Sequence, residues 1–243
     1  MLNKLFRKKD IKVNGTRVSK DLYVESGDEI IVYYDGEKPS VQYKILYSDE
    51  NVLVVYKPKG ITSEDFFKEL SKDESLYFCH RLDRNTDGVM IFARNEASYN
   101  EIVRGFKDRS FKKLYHARVY GVMDKEEELL EGYLFKDAKN SFVTVTDKKV
   151  KGSVNIRTKY RVLSTDGETS ILEVELLTGR THQIRAHFAH VGHFILGDGK
   201  YGNNAIDKKF GVKDLALSAI SLTLRFNKED YLYYLDGKTF KLD

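Results

Sequence analysis

A single cysteine, Cys79, occurs in the 243 residues, so no internal disulfide can form and nothing points to an oxidising compartment. Long apolar runs are missing too. Stretches such as NVLVVY (51–56) fall far short of the roughly 18–20 residues that a membrane span needs. The first residues, MLNKLFRKK, carry positive charge with no apolar stretch behind them and do not read as a secretory signal. The expected location is the cytoplasm, with no membrane partner. Neither GxxxxGK[ST] nor GxGxxG occurs, and the glycines of GDGKYG (197–202) do not open a convincing helix. A nucleotide cofactor is therefore not expected. HExxH and CxxC are also absent. His182, His187, His190 and His193, with Asp198 after them, read as hydrogen-bonding positions of a helix rather than as a metal site. Cys79 and His80 are adjacent in an extended stretch and point to opposite sides, so Cys79 reads as a buried structural thiol.

What is present is an apolar fraction of 41%, enough for a real core, and charge that is unevenly spread. Residues 1–20 hold Lys4, Arg7, Lys8, Lys9, Lys12, Arg17 and Lys20 against Asp10 alone, whereas the rest of the chain is slightly acidic. A second basic cluster runs from Arg104 to Arg118. Such clusters suit a polyanion, because each neutralised phosphate releases counterions. A solvated surface accounts for them equally well.

The pattern along the chain predicts a basic helix end at 2–9, then a small β element. Asn14-Gly15 is its hairpin turn, Gly27-Asp28 a second turn, and EIIVYY (29–34) a strand. Residues 1–36 are too few to bury a core alone. Residues 37–44, with Pro39, read as a linker to a larger domain at 45–243. There, strands are expected at 43–47, 51–57, 88–94, 114–121, 141–147, 154–163, 169–177, 214–226 and 231–235. Helices are expected at 64–72, from cap Asn95 to about Phe106, and at 181–191, where Ile184, Phe188 and Val191 share a face. Strands follow strands more often than helices intervene. The fold class is therefore α+β, a mixed and mostly antiparallel sheet with flanking helices.

Two stretches are rich in chemistry. In CHRLDRNTDG (79–88), Asp83 lies between Arg81 and Arg84 on a loop before a buried strand. Flanking cations keep a carboxylate ionised, which suits a nucleophile or base, and equally suits a surface salt bridge. In LLTGRTHQIRAHFAHVGHFILGDGKYG (176–202), a strand ends at Thr178-Gly179, Arg180 leads into a helix, and Arg185 follows one turn on. That is an anion site, for phosphate or for a carboxylate such as Asp83.

HRLDRNTDG (80–88) resembles the HRLDxxTSG signature of the RluA family of pseudouridine synthases. Residues 176–202 resemble its TGRTHQIRxH…GDxxYG motif, KLYHARVYG (113–121) its KxYxAxVxG motif, and Lys57-Pro58-Lys59-Gly60 its first motif. The four stand in the right order. Residues 2–34 are similar to the later part of an S4 RNA-binding motif, without its first helix. The family has Ser where this chain has Asp87, which adds a negative charge near the expected RNA site.

The resemblance implies isomerisation of uridine to pseudouridine in structured RNA, with large-subunit (23S) ribosomal RNA favoured and transfer RNA the alternative. It implies no cofactor, no metal and a monomer. Asp83 is implied as the essential carboxylate, Tyr115 as the residue packing on the base, and Arg180 as the partner that pairs with Asp83. Substrate contacts are implied for Arg81, which fills the space left by the flipped base, for Ile184, and for Arg7, Lys8, Lys9 and Lys12 in the basic segment. The rivals are an inactive RNA-binding or ribosome-assembly factor on the same fold and a glycoside hydrolase. The hydrolase needs a second facing carboxylate.

Overall fold

The computed structural model describes residues 11–32, 41–72, 74–136 and 142–242, and it divides the chain into one compact unit up to Val41 and a second from Gln42. The first unit contains a three-stranded antiparallel sheet of β1 (Ile11–Val13), β2 (Thr16–Val18) and β3 (Ile30–Val32) in the order β2-β1-β3. Asn14 and Gly15 turn β1 into β2 with φ of 49° and 78°, the two left-handed residues of a tight hairpin turn. The Asn14 amide ties both turns together. Its Nδ2 donates to Asp28 Oδ1 at 2.7 Å, and its Oδ1 accepts the Glu29 N–H at 3.0 Å.

The second unit is built on one eleven-stranded sheet. Its strands are β4 (Lys44–Ser48), β5 (Val52–Lys57), β6 (Tyr77–Phe78), β7 (Asp87–Ala93), β8 (Lys112–Tyr120), β9 (Glu127–Lys136), β10 (Val143–Thr146), β11 (Val154–Thr165), β12 (Thr169–Leu176), β13 (Leu217–Thr223) and β14 (Thr239–Lys241). The order is β10-β9-β11-β12-β8-β13-β7-β5-β4, with β14 on β13 and β6 on β7. Among the described residues only β7 and β13 pair in parallel, so the sheet is mixed and mostly antiparallel as the pattern predicts. The helices are α1 (Ser63–Leu70), α2 (Glu96–Asp108), α3 (Gln183–His190) and α4 (Asn204–Lys209). Thr62 caps α1 and Asn95 caps α2, each side-chain oxygen accepting a backbone N–H three residues on.

Strand β5 and strand β7 are buried on both faces, which is why they read as near-continuous apolar runs. Strand β8 alternates instead: Tyr115, Ala117 and Val119 point inward. Besides the short strands β6 and β14, which the pattern leaves unassigned, the described fold departs from it in three places. Strand β9 was not expected, because its many glutamates mask the inward alternation of Leu130, Gly132 and Leu134. Helix α4 is a further unexpected element. Residues 231–235 are not a strand but run into a short 3₁₀ turn, Tyr233–Leu235. Leu232 and Leu235, three apart, both enter the core there.

One glycine decides where the loop before β7 runs. Gly88 has φ of 129°, and a Cβ there would lie 2.1 Å from the Ala219 carbonyl oxygen. The close parallel approach of β7 and β13 therefore requires glycine directly after the Asp83 loop.

Candidate active site

Asp83 sits on the loop 79–86 between β6 and β7, and three anchors hold that loop. The hydroxyl of Ser63 at the start of α1 accepts the Leu82 N–H at 2.9 Å and donates to the Leu82 carbonyl at 2.8 Å. Arg84 clasps Gly60 in both directions, Nε to the Gly60 carbonyl and the Gly60 N–H to the Arg84 carbonyl. The third anchor is Lys57, fully buried at the end of β5. Its ammonium donates to the carbonyls of Pro58 (2.8 Å), Thr86 (3.0 Å) and Arg84 (3.3 Å). Burial pulls its pKa down to about 8, against the pull of Asp87 and Asp83. The first motif thus acts as a brace for the loop.

The cleft beside the loop has a volume of about 450 Å³. Asp83, Tyr115, Arg180, Arg81, Ile184 and Arg185 all line it. The partner of Asp83 is Arg185, whose Nη1 lies 3.1 Å from Asp83 Oδ2. The expected pairing with Arg180 is corrected here. Arg180 precedes the helix and is exposed at the cleft. Its backbone N–H donates to Gln183 Oε1 at 3.2 Å. The chain then turns through a left-handed residue, His182 at φ 53°, and α3 carries Arg185 inward. The flanking cations do not hold Asp83 either. Arg84 is engaged with Gly60, and Arg81 lies 3.6 Å from Glu64.

Arg185 is itself held by Asp198, which was not foreseen as part of the site. Nε and Nη2 meet the two oxygens of Asp198 at 2.8 and 2.7 Å, a bidentate pair. The Asp198 side chain is fully buried, and that of Arg185 is 11% exposed. Burial pushes the Asp198 carboxyl up, but Arg185 and the N–H groups of Lys200 and Tyr201 outweigh it and hold it below its ordinary value. Burial works against the Arg185 charge as well, and the two carboxylates overcome it. The result is one chain of charge, Asp198–Arg185–Asp83, that presents a single guanidinium nitrogen to Asp83.

Tyr115 on β8 is 8% exposed. Burial first, and then the Asp83 charge, push its hydroxyl pKa well up, so the phenol stays protonated. Ile184, 4% exposed, adds an apolar wall from α3. His182 Nε2 lies 3.9 Å from Asp83 Oδ2, and its Nδ1 is paired with the Tyr201 hydroxyl at 2.9 Å. Burial lowers its pKa against the pull of Asp83, which favours the neutral ring. Gln183 shapes the turn around Arg180. Its Oε1 accepts from Thr178, and its Nε2 donates to the Arg157 carbonyl and to Thr158 Oγ1.

The other histidines go separate ways. His187 pairs with Thr158, His190 with Asp147, and His193 with the Tyr120 carbonyl. Among the described residues no group of three or more His, Cys, Asp or Glu could hold a metal ion. Cys79 packs against the apolar core, and burial raises its thiol pKa to about 12. Asp87 does not line the cleft. It accepts from the Tyr56 and Ser218 hydroxyls, both at 2.6 Å, with Lys59 at 3.7 Å, so its charge is answered within the sheet. Lys12 stands on β1 in the first unit, while Arg7, Lys8 and Lys9 lie outside the described residues.

The sequence pattern gives Lys57, Gln183 and Asp198 no place in the site and offers Arg185 to Asp83 only within the anion site that Arg180 opens, and these four residues complete the frame of the cleft. Three of them fall within the downstream motif. Its second arginine, set inside the helix, was the available signal for Arg185.

Residues 51–190 match the family model described as RNA pseudouridylate synthase. The ribosomal large subunit pseudouridine synthase D of Borreliella burgdorferi is 30% identical over 95% of this chain and 77% of its own length. The mitochondrial tRNA pseudouridine(32) synthase of Saccharomyces cerevisiae is 31% identical over 81% of this chain and 46% of its own. Among solved structures, human RNA pseudouridylate synthase domain containing 1 superposes with a TM-score of 0.70 at 24% identity, covering 80% of this chain and 83% of that one.

Proposed function

The chain belongs to the RNA pseudouridylate synthase family and isomerises uridine to pseudouridine in RNA, and we propose that its substrate is large-subunit ribosomal RNA and that Asp83 carries the chemistry. The observation behind the second proposal is the buried Asp198–Arg185–Asp83 chain opening on the cleft. The glycosidic bond breaks, the freed uracil turns, and C5 joins the sugar C1′. Substrate and product are isomers, so the overall reaction needs no co-substrate.

Arg185 keeps Asp83 ionised and aimed, which is what a nucleophile at C1′ or a base at C2′ requires. The target base must leave its stack to reach the carboxylate. Arg81, 60% exposed at the cleft edge with a long contact to Glu64, swings into the vacated space. Tyr115 and Ile184 offer the flipped base an aromatic face and an apolar wall. A phenol held protonated acts first as a donor. It accepts the C5 proton in a relay in which its own proton passes through Asp83 and on to N1 of the turned uracil, which restores both side chains. Tyr115→Phe keeps the ring and removes only that relay. It is expected to bind RNA within about twofold and to lose roughly 10²-fold in turnover, the lower range for general acid–base catalysis. Full activity in the Phe variant would make Tyr115 a packing residue only.

Ribosomal RNA is preferred because the Borreliella relative that bears that name aligns over 95% of this chain and 77% of its own length, against 81% and 46% for the yeast tRNA synthase. Transfer RNA is the second reading, from the name of the yeast relative. A pseudouridine map of RNA from cells with and without the gene separates them. A missing mark in 23S RNA supports the first reading, and a missing mark only in tRNA overturns it.

The first unit is proposed as an S4-like RNA-contacting element, on the strength of the basic residues between Lys4 and Lys20. Removing residues 1–41 is then expected to weaken RNA binding. If three to five cations contact phosphates, the log–log salt slope flattens by roughly two to four units, at about 0.7–0.9 per contact. An unchanged slope in a well-folded truncation, measured by filter binding across salt concentrations, would falsify this role.

A further inference from the structure

The basic cluster Arg104–Arg118 does not act as one block, and its division is informative. Three of its six cations have carboxylate partners. Arg104 pairs with Asp230 at 2.6 Å, Lys112 with Glu175 at 3.7 Å, and Arg118 with Asp166 at 3.1 Å. The other three, Lys107, Arg109 and Lys113, have no carboxylate partner among the described residues, and all three line the Asp83 cleft. We propose that Lys107, Arg109 and Lys113 form a clamp for one phosphodiester of the RNA backbone beside the flipped uridine. The inference rests on the synthase reading and places the backbone within that same cleft.

The framework under the three side chains is rigid. Lys107 is in the last turn of α2, Arg109 closes that helix, and Lys113 is the second residue of β8. Buried Phe111 locks the short connection by packing on Phe106 and Phe226. Lys113 and Tyr115 are two apart on one strand and so share a face. The clamp therefore begins one alternation away from the residue that packs on the base. Lys113 is half-buried, and burial and the nearby Arg109 disfavour its charge more than the pull of Glu175, which lies beyond ion-pair distance, favours it. Two cations that repel each other in a partly desolvated cleft are stabilised by an anion placed between them. A phosphodiester always bears that charge, and RNA brings one on each side of the target nucleotide.

The backbone at Arg109 supports the same reading. Its φ is 61°, in the left-handed region, at the position after a helix where glycine is the usual residue. An arginine there gives up backbone ease to place a guanidinium at the cleft. His80 stands beside the clamp but contributes no charge. Its Nε2 accepts the Ile91 N–H at 3.0 Å, its ring stacks on Phe106, and burial brings its pKa down to about 3.

The test uses the full chain carrying Asp83→Asn, so that bound RNA is not converted. The probe is a stem-loop around the mapped uridine, as the natural backbone and with single neutral methylphosphonates at the flanking phosphates. Arg109→Gly suits the left-handed position and is expected to keep or raise the thermal midpoint while binding weakens about tenfold. Adding Lys107→Gln and Lys113→Met is expected to weaken binding further and to flatten the salt slope by about one unit, since one phosphate is neutralised, at about 0.7–0.9 per phosphate. One methylphosphonate position should weaken binding to the parent about tenfold and to the triple variant less than twofold. Equal losses in both proteins, or an unchanged slope, overturn the clamp. So does Lys113→Met in the active background lowering turnover with no change in KM, which would assign Lys113 to the charge on the departing base. Inorganic phosphate that competes at millimolar concentration against the parent, while no methylphosphonate matters, assigns the site to free phosphate and overturns the backbone reading. RNA binding with an unchanged slope counts against the clamp alone. Absence of both RNA binding and pseudouridine formation by the wild-type chain counts against the synthase reading as well.

Discussion

Asp83→Asn is expected to lower turnover by roughly four orders of magnitude or more, the scale seen when an essential base or nucleophile is removed. The amide has the size of the carboxylate and lacks the charge and basicity that the reaction uses. Folding should survive, because Arg185 keeps its two hydrogen bonds to Asp198 when Asp83 is neutral. RNA binding should stay within a few-fold, since the cations lining the cleft are untouched. The check is pseudouridine formation by mass spectrometry beside a thermal melt. Turnover at a tenth of the parent rate would remove Asp83 from the chemistry.

Asp198→Ala is expected to damage both stability and turnover. It leaves Arg185, only 11% exposed, without its bidentate partner, and Asp83 is then its one remaining carboxylate among the described residues. Breaking a buried ion pair from one side costs about 3–5 kcal/mol. In a chain of this size that corresponds to a fall in midpoint of roughly 6–20 °C. The loss in turnover should exceed what instability explains at low temperature, by about 10²-fold, because a swung guanidinium no longer aims Asp83. The ratio of kcat to KM effects is the telling measurement. A positioning role lowers kcat more than it raises KM. A midpoint and kcat both equal to the parent's would show that Arg185 needs no second carboxylate. Asp198→Asn keeps one acceptor for Nη2 and should fall between Ala and the parent.

Much of this molecule was present in local sequence. The Asn14-Gly15 turn, the alternation of β8 and the helix capped by Asn95 all follow from short-range rules, because backbone preference and side-chain period act over a few residues. Asp83 and Tyr115 stood out through motif order, and both line the same cleft. Local rules failed where burial alternates under a polar surface, as in glutamate-rich β9. They failed again at 231–235, where two leucines enter the core from a 3₁₀ turn.

The partner of Asp83 is the clearest case of a choice that local sequence cannot make. Arg81 and Arg84 are its neighbours in sequence, and Arg180 opens the motif that faces it. The ion pair nevertheless goes to Arg185, 102 residues away. Both Arg180 and Arg185 sit in one short stretch, and only the direction in which α3 leaves the sheet decides between them. In the same way, the sequence alone determined that Arg104–Arg118 is basic. Only the pairing of β8 with β12 and β13, and the packing of α2 against β7 and β6, decided which three of those charges meet carboxylates and which three face the cleft. Charge and period are properties of a segment, whereas an ion pair is a property of two segments. Its geometry exists only once the sheet has brought them within a few ångströms.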